Sequence, residues 1–92
     1  MIKSFTHKGL ERFYESGSKS GIQAQHEKRI RLILGRLSSS CEPKDMNLPG
    51  LRLHALQGDL SGFWAVDVSG NLRIVFKFEG KNVSDVDLVD YH

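Results

Sequence analysis

The spacing of apolar residues changes once along this chain, from a helical period in the first half to a strand period in the second. Ile2 and Phe5 bound a segment that fits a short first strand over residues 2–5. Leu10, Phe13 and Tyr14 then recur at helical spacing over residues 8–15, and Gly17 follows where a helix stop is expected. Residues 17–21, Gly-Ser-Lys-Ser-Gly, make a connecting loop. Residues 23–37 carry the strongest helical pattern. Ile30, Ile33, Leu34 and Leu37 fall within an arc of roughly 100°, the width of a core-facing stripe. His26 lies in the same arc and is expected to pack or to hydrogen-bond locally. His7, at the first strand-to-helix junction, is expected to cap the helix or face solvent. Ser38-Ser39-Ser40 closes the second helix, and Glu42-Pro43-Lys44-Asp45 opens a polar connection.

From Gly62 onward the period is two. Residues 63–68 predict a strand, and Ser69-Gly70-Asn71 a tight turn. The next strand sets Leu72, Ile74, Phe76 and Phe78 on one face and Arg73, Val75 and Lys77 on the other. After a turn at Glu79-Gly80-Lys81-Asn82, residues 83–91 predict a last strand in which Val86 and Leu88 alternate with Asp85 and Asp87. Three strands joined by short turns, preceded by two amphipathic helices, give an α+β fold. Its sheet is small and antiparallel, with the two N-terminal helices packed on one face and the other face at least partly open.

At 92 residues the chain makes one domain, residues 1–92. No apolar run approaches the roughly 18–20 residues of a membrane span, and charge occupies the place of a signal peptide's apolar stretch. The single cysteine, Cys41, cannot form an internal disulfide. These features lead to the expectation of a cytoplasmic protein with no membrane partner. No Cys/His cluster signals zinc, so neither a metal nor another cofactor is expected. The net charge of +2 is unevenly spread. Residues 1–46 hold nine Lys/Arg against five Asp/Glu, a net of +4, and residues 47–92 hold four against six, a net of −2. A basic first half suits a polyanionic partner such as nucleic acid, and it equally fits a solvated helix face.

The candidate chemistry lies in the second half. Leu51 and Leu53 would anchor their segment to the core, leaving His54 on a non-core side. The chain closes on Asp90-Tyr91-His92; along a strand Asp90 and His92 share a face and Tyr91 takes the other. Imidazole suits proton transfer near neutral pH. Two imidazoles with a carboxylate, a phenol and a guanidinium are the parts needed to cut RNA by internal attack. One group takes the 2′-hydroxyl proton, another protonates the departing 5′-oxygen, and a fixed cation such as Arg73 stabilises the charge on phosphorus. Taken alone, the same residues also fit a surface histidine and a polar tail.

Arg52-Leu53-His54-Ala55-Leu56-Gln57-Gly58-Asp59, Gly62-Phe63-Trp64, Gly70-Asn71-Leu72-Arg73 and Val89-Asp90-Tyr91-His92, in that order, resemble HigB toxins of the RelE superfamily. The opening Met1-Ile2-Lys3-Ser4-Phe5 matches as well, so the likeness runs nearly end to end. The resemblance implies a RelE-like fold and a ribosome-dependent endoribonuclease that cuts mRNA in the decoding site of the small subunit. It implies a helix-turn-helix antitoxin of the HigA type, through which alone the protein would meet operator DNA. Carried over position by position, it makes His54, Asp90, Tyr91 and His92 catalytic and Arg73 a phosphate contact. Gln57 falls at a second substrate-binding position. It also offers the second helix a role, in which Lys28, Arg29, Arg31 and Arg36 face RNA or ribosome phosphates. The chain departs from many relatives in having Ala55 for proline, Gln57 for lysine and Leu72 for tryptophan. The lysine position therefore brings no charge here.

Either His92 or Asp90 would act as base and His54 as acid, with Tyr91 orienting the substrate; the sequence allows these roles to be exchanged. An alternative from another class is a non-catalytic RNA- or ribosome-binding module that blocks translation by occupancy.

Overall fold

The computed structural model describes residues 1–90. Two helices, α1 (Lys8–Ser16) and α2 (Glu27–Ser39), precede four strands, β1 (His54–Ala55), β2 (Phe63–Asp67), β3 (Leu72–Glu79) and β4 (Asn82–Asp90). The strands form one sheet in the order β1-β2-β3-β4, with every neighbouring pair antiparallel. The expected first strand takes the form of two parallel bridges along β4, Ile2 to Val83 and Phe5 to Val86. The Lys3 N–H donates to the Val83 carbonyl (2.7 Å) and the Thr6 N–H to the Val86 carbonyl (2.8 Å), so the edge of β4 is covered.

Helix α1 starts where His7 Nδ1 accepts the Leu10 N–H at 2.9 Å. It ends at Gly17, whose N–H still donates to the Phe13 carbonyl and whose left-handed φ of 79° turns the chain out of the helix. Helix α2 begins later than its periodicity predicts, because residues Ala24–His26 form a 3₁₀ turn. His26 therefore lies ahead of the apolar stripe, half-buried, with its Nε2 3.2 Å from Gln25 Nε2. The stripe itself is buried as expected: Ile30, Ile33, Leu34 and Leu37 meet Val66, Leu72, Ile74, Phe76, Val83 and Val86 from the sheet. Each such aliphatic side chain contributes about 1.5–3 kcal/mol on full burial. Both helices thus lie on one face, as the order of elements implies.

The alternation expected for β4 does not hold throughout. Val83 and Val86 are both fully buried although three residues apart. The cause is a bulge: Val75 pairs with Asp87 but Lys77 pairs with Ser84, so β4 spends an extra residue there. Asp85 takes up the kink at φ 52°, a conformation that Asp tolerates better than most residues. Its displaced N–H donates to Ser4 Oγ at 2.8 Å, which ties the N-terminal segment to the bulge.

The second face of the sheet, which neither helix covers, positions the candidate site. Cross-strand register runs His54–Ala65–Val75–Asp87 in one row and Asp67–Arg73–Val89 in the next. Rows on one face are two residues apart, about 6.5–7 Å.

Candidate active site

Leu51 is buried and Leu53 packs against the core, so the segment between them is pinned at both ends. The Asp67 N–H donates to the Leu51 carbonyl at 2.8 Å and locks this segment to the end of β2. Arg52, between the two leucines, adopts a left-handed φ of 53°. For a residue with a long side chain this costs about 1–3 kcal/mol, so neighbouring contacts must hold it. Two do. His54 Nδ1 lies 2.8 Å from the Arg52 carbonyl oxygen, and Arg52 Nε lies 3.7 Å from Asp67 Oδ2.

The first contact also fixes the imidazole. A carbonyl only accepts, so Nδ1 carries the proton and Nε2 is the nitrogen left to exchange one. His54 is half-buried and, with Arg52, Leu53 and Arg73, lines an open depression of about 560 Å³. That volume suits a nucleotide-sized group. Opposite Asp67 across the hairpin stands Arg73, with its Nε 3.5 Å from Asp67 Oδ1. The Asp67 side chain is only 15% exposed, whereas Arg52 is 82% and Arg73 30% exposed. A carboxylate so enclosed requires positive partners, and here one guanidinium faces each oxygen. The Asp67 carbonyl is engaged as well, by Arg29 Nε at 3.3 Å and Arg29 Nη2 at 3.2 Å. Three arginines from three parts of the chain therefore converge on one residue.

Of the residues singled out from the sequence, His54 and Arg73 come together in this depression. Gln57 stands exposed at the start of the 3₁₀ turn Gly58–Leu60, beyond β1 and outside the lining. Asp90 ends β4 opposite Leu72 and accepts a hydrogen bond from Asn71 Nδ2 at 2.9 Å. It lines hollows on the helix side, one with His7, Gln23 and Leu88 and another with His26 and Asn71. It shares the end of the sheet with Asp67 and Arg73 but faces the other way. Tyr91 and His92 lie outside the described residues.

The four cations of α2 differ from one another. Arg29 donates to the carbonyls of Asp67 and Gly50, and Arg36 Nε donates to the Asp45 carbonyl at 3.1 Å. Arg31 pairs with Glu27 at 2.7 Å and lies 5.4 Å above the Phe13 ring. Hydrogen bonds from Lys19 and then Arg31 hold the Glu27 carboxyl below its ordinary range. Lys28 is exposed.

Asp67 and Arg52 escaped the sequence reading. Asp67 was accessible to it, since a turn centred on Ser69-Gly70-Asn71 sets residue 67 opposite residue 73. The left-handed Arg52 left no such signal.

A model of the family described as the RelE-like toxin of type II toxin-antitoxin system HigB matches residues 3–92. Over 92 residues the chain is 39% identical to endoribonuclease HigB of Proteus vulgaris, with 100% of both chains covered. Its fold is similar to that of a YoeB/ParE toxin from Agrobacterium tumefaciens, at a TM-score of 0.60 and 18% identity, covering 100% of this chain and 99% of that one. A copper-bound mutant toxin from Helicobacter pylori is similar too, at a TM-score of 0.53 and 16% identity, covering 98% and 94%.

Proposed function

This chain belongs to the HigB-like toxins of type II toxin-antitoxin systems, and from that membership we propose that it is an endoribonuclease that cuts messenger RNA on the translating ribosome. The observation that carries this reading is the imidazole of His54, held through Nδ1 with Nε2 left for chemistry, in a depression that also contains Arg73. The reaction is attack by a 2′-hydroxyl on its own 3′-phosphodiester. A base removes the hydroxyl proton, the new O–P bond forms, and the bond to the 5′-oxygen breaks as that oxygen takes a proton. The products are a 2′,3′-cyclic phosphate, or the 3′-phosphate formed from it by water, and a 5′-hydroxyl.

In this scheme His54 Nε2 delivers the proton to the departing oxygen, and Arg73 offsets the negative charge that builds on phosphorus. His92 serves as base and Tyr91 orients the substrate, assignments that rest on the family motif at those positions; Asp90, turned to the helix side of the sheet, has no part in this scheme. His54 and the base can exchange roles without altering the products. Membership in a type II system implies an antitoxin partner. A helix-turn-helix antitoxin of the HigA type and the small ribosomal subunit are the partners this reading supplies. It places the protein in the cytoplasm, where messages are translated. Among the described residues no helix is long and apolar enough to cross a membrane.

Mapping mRNA 5′ ends in cells after brief induction tests the proposal, with His54→Ala and His92→Ala as controls. New ends within codons of translated messages, absent from both variants, are the expected result. Growth arrest by both variants without new ends would replace it with a binding protein that acts by occupancy.

A further inference from the structure

The depression beside His54 contains a cation that the proposed reaction does not use. Arg52 reaches it from a left-handed backbone, stays 82% exposed, and shares the lining with His54 and Arg73. Two guanidiniums on one small surface repel each other, and an exposed pair would splay into solvent. Here the carboxylate of Asp67 stands between them, with Oδ2 toward Arg52 (3.7 Å) and Oδ1 toward Arg73 (3.5 Å). Asp67 is itself fixed by its N–H to Leu51 and by Arg29 on its carbonyl. Gln57, outside this lining, brings no charge. The cluster sets two guanidiniums against one carboxylate, and the residue that carries the carboxylate is fixed at both its N–H and its carbonyl.

We propose that Arg52 is a second phosphate-binding residue, engaging a backbone phosphate next to the one at Arg73, and that Asp67 is the positioning residue that holds the two guanidiniums side by side. The ligand class is a single-stranded polynucleotide, whose successive phosphates match two cations on one face. This deepens the proposed ribonuclease function and rests on it for the identity of the strand. The positive φ of Arg52 then has a use, since it turns the side chain toward Asp67 while the Arg52 carbonyl orients His54.

The test uses the full chain and a twelve-nucleotide 2′-O-methyl RNA, which lacks the attacking hydroxyl and cannot be cut. Binding is followed by fluorescence anisotropy across a salt series. Arg52→Gly removes the guanidinium and accepts the left-handed backbone, so relief of strain there opposes the loss of the Asp67 contact and the variant should remain folded, as its thermal midpoint will show. It should bind about 3- to 10-fold more weakly and lose about 0.7 from the slope of log K against log salt, the loss of one phosphate contact on a single strand. An unchanged affinity and slope would overturn the proposal and leave Arg52 as a counter-ion of Asp67. In an Asp67→Asn background, Arg52→Gly should change the slope much less, and Asp67→Glu should restore part of the difference. A full Arg52 effect in both backgrounds would refute the positioning role. Because these readouts need no cleavage, they separate the two ideas. Binding that depends on Arg52, with no message cut in cells, would remove the nuclease reading and keep the phosphate site.

Discussion

His54 Nδ1 and the Arg52 carbonyl oxygen, two residues apart in sequence, are joined at 2.8 Å across a backbone kink that puts Arg52 at φ 53°. One contact thus sets the tautomer of the imidazole and helps hold a strained residue in place. An extended strand would point the carbonyl away from a ring two residues on, so the strain and the ring orientation have one origin.

This relationship separates the anchoring nitrogen of His54 from the reacting one. In His54→Asn the side-chain amide replaces Nδ1 and can still donate to the Arg52 carbonyl, but nothing replaces Nε2. The variant should match the parent in urea denaturation to within about 0.5 kcal/mol. Cleavage of message on ribosomes should fall by about 10²-fold or more, the usual contribution of a general acid or base. Retained cleavage would dismiss His54 from proton transfer.

Arg29 and Lys28 are neighbours in sequence with opposite expected behaviour. Arg29→Ala strips the Asp67 and Gly50 carbonyls of a charged donor and should cost about 1–3 kcal/mol in denaturant unfolding. Lys28→Ala should leave stability within about 0.5 kcal/mol while weakening ribosome binding in a salt-dependent way. A stable Arg29→Ala protein with weakened ribosome binding would reverse this division.

Gly9 in α1 and Gly21 in the following loop are in backbone contact. A Cβ on Gly9 would lie 2.7 Å from the Gly21 Cα, and one on Gly21 would lie 2.4 Å from the Gly9 Cα. Alanine at either position should destabilise the fold by about 1–3 kcal/mol, since backbone must move to admit it. Gly35, mid-helix in α2 with nothing within 4 Å of such a Cβ, should respond oppositely. Gly35→Ala is expected to stabilise by about 0.5–1 kcal/mol. Urea midpoints moving in the same direction would contradict the packing described for the two sites.

Ser4 serves the bulge in β4. Its Oγ accepts the Asp85 N–H at 2.8 Å, a donor displaced from the sheet ladder. Ser4→Ala should cost about 1–3 kcal/mol and speed hydrogen exchange at Asp85 and along residues 1–6. Protection unchanged at Asp85 would show that another acceptor serves the bulge.

Much of the fold was legible because it depends on periods. Leu10 and Phe13, the stripe from Ile30 to Leu37, and the alternation through β3 each repeat often enough to identify an element and its buried face. His54 on the non-core side followed from the two leucines before it. The departures arose where one residue broke a period. The 3₁₀ turn before α2 displaced His26 from the stripe, and the bulge at Asp85 brought Val83 and Val86 to the same core.

The sequence by itself determined the α+β architecture, the buried faces and, through its motifs, the toxin family, since each depends on residue type repeated or ordered along the chain. Tertiary structure decided which charges share a surface. It joined Arg52, Asp67 and Arg73 beside His54, bound Arg29 inward to the carbonyls of Asp67 and Gly50, and turned Asp90 toward the helix side of the sheet. The physical reason is that burial is recorded in local periodicity, whereas the partner of a charge depends on strand register and single backbone torsions. A kink at Arg52 or an extra residue at Asp85 changes that partner without changing the pattern of apolar residues around it.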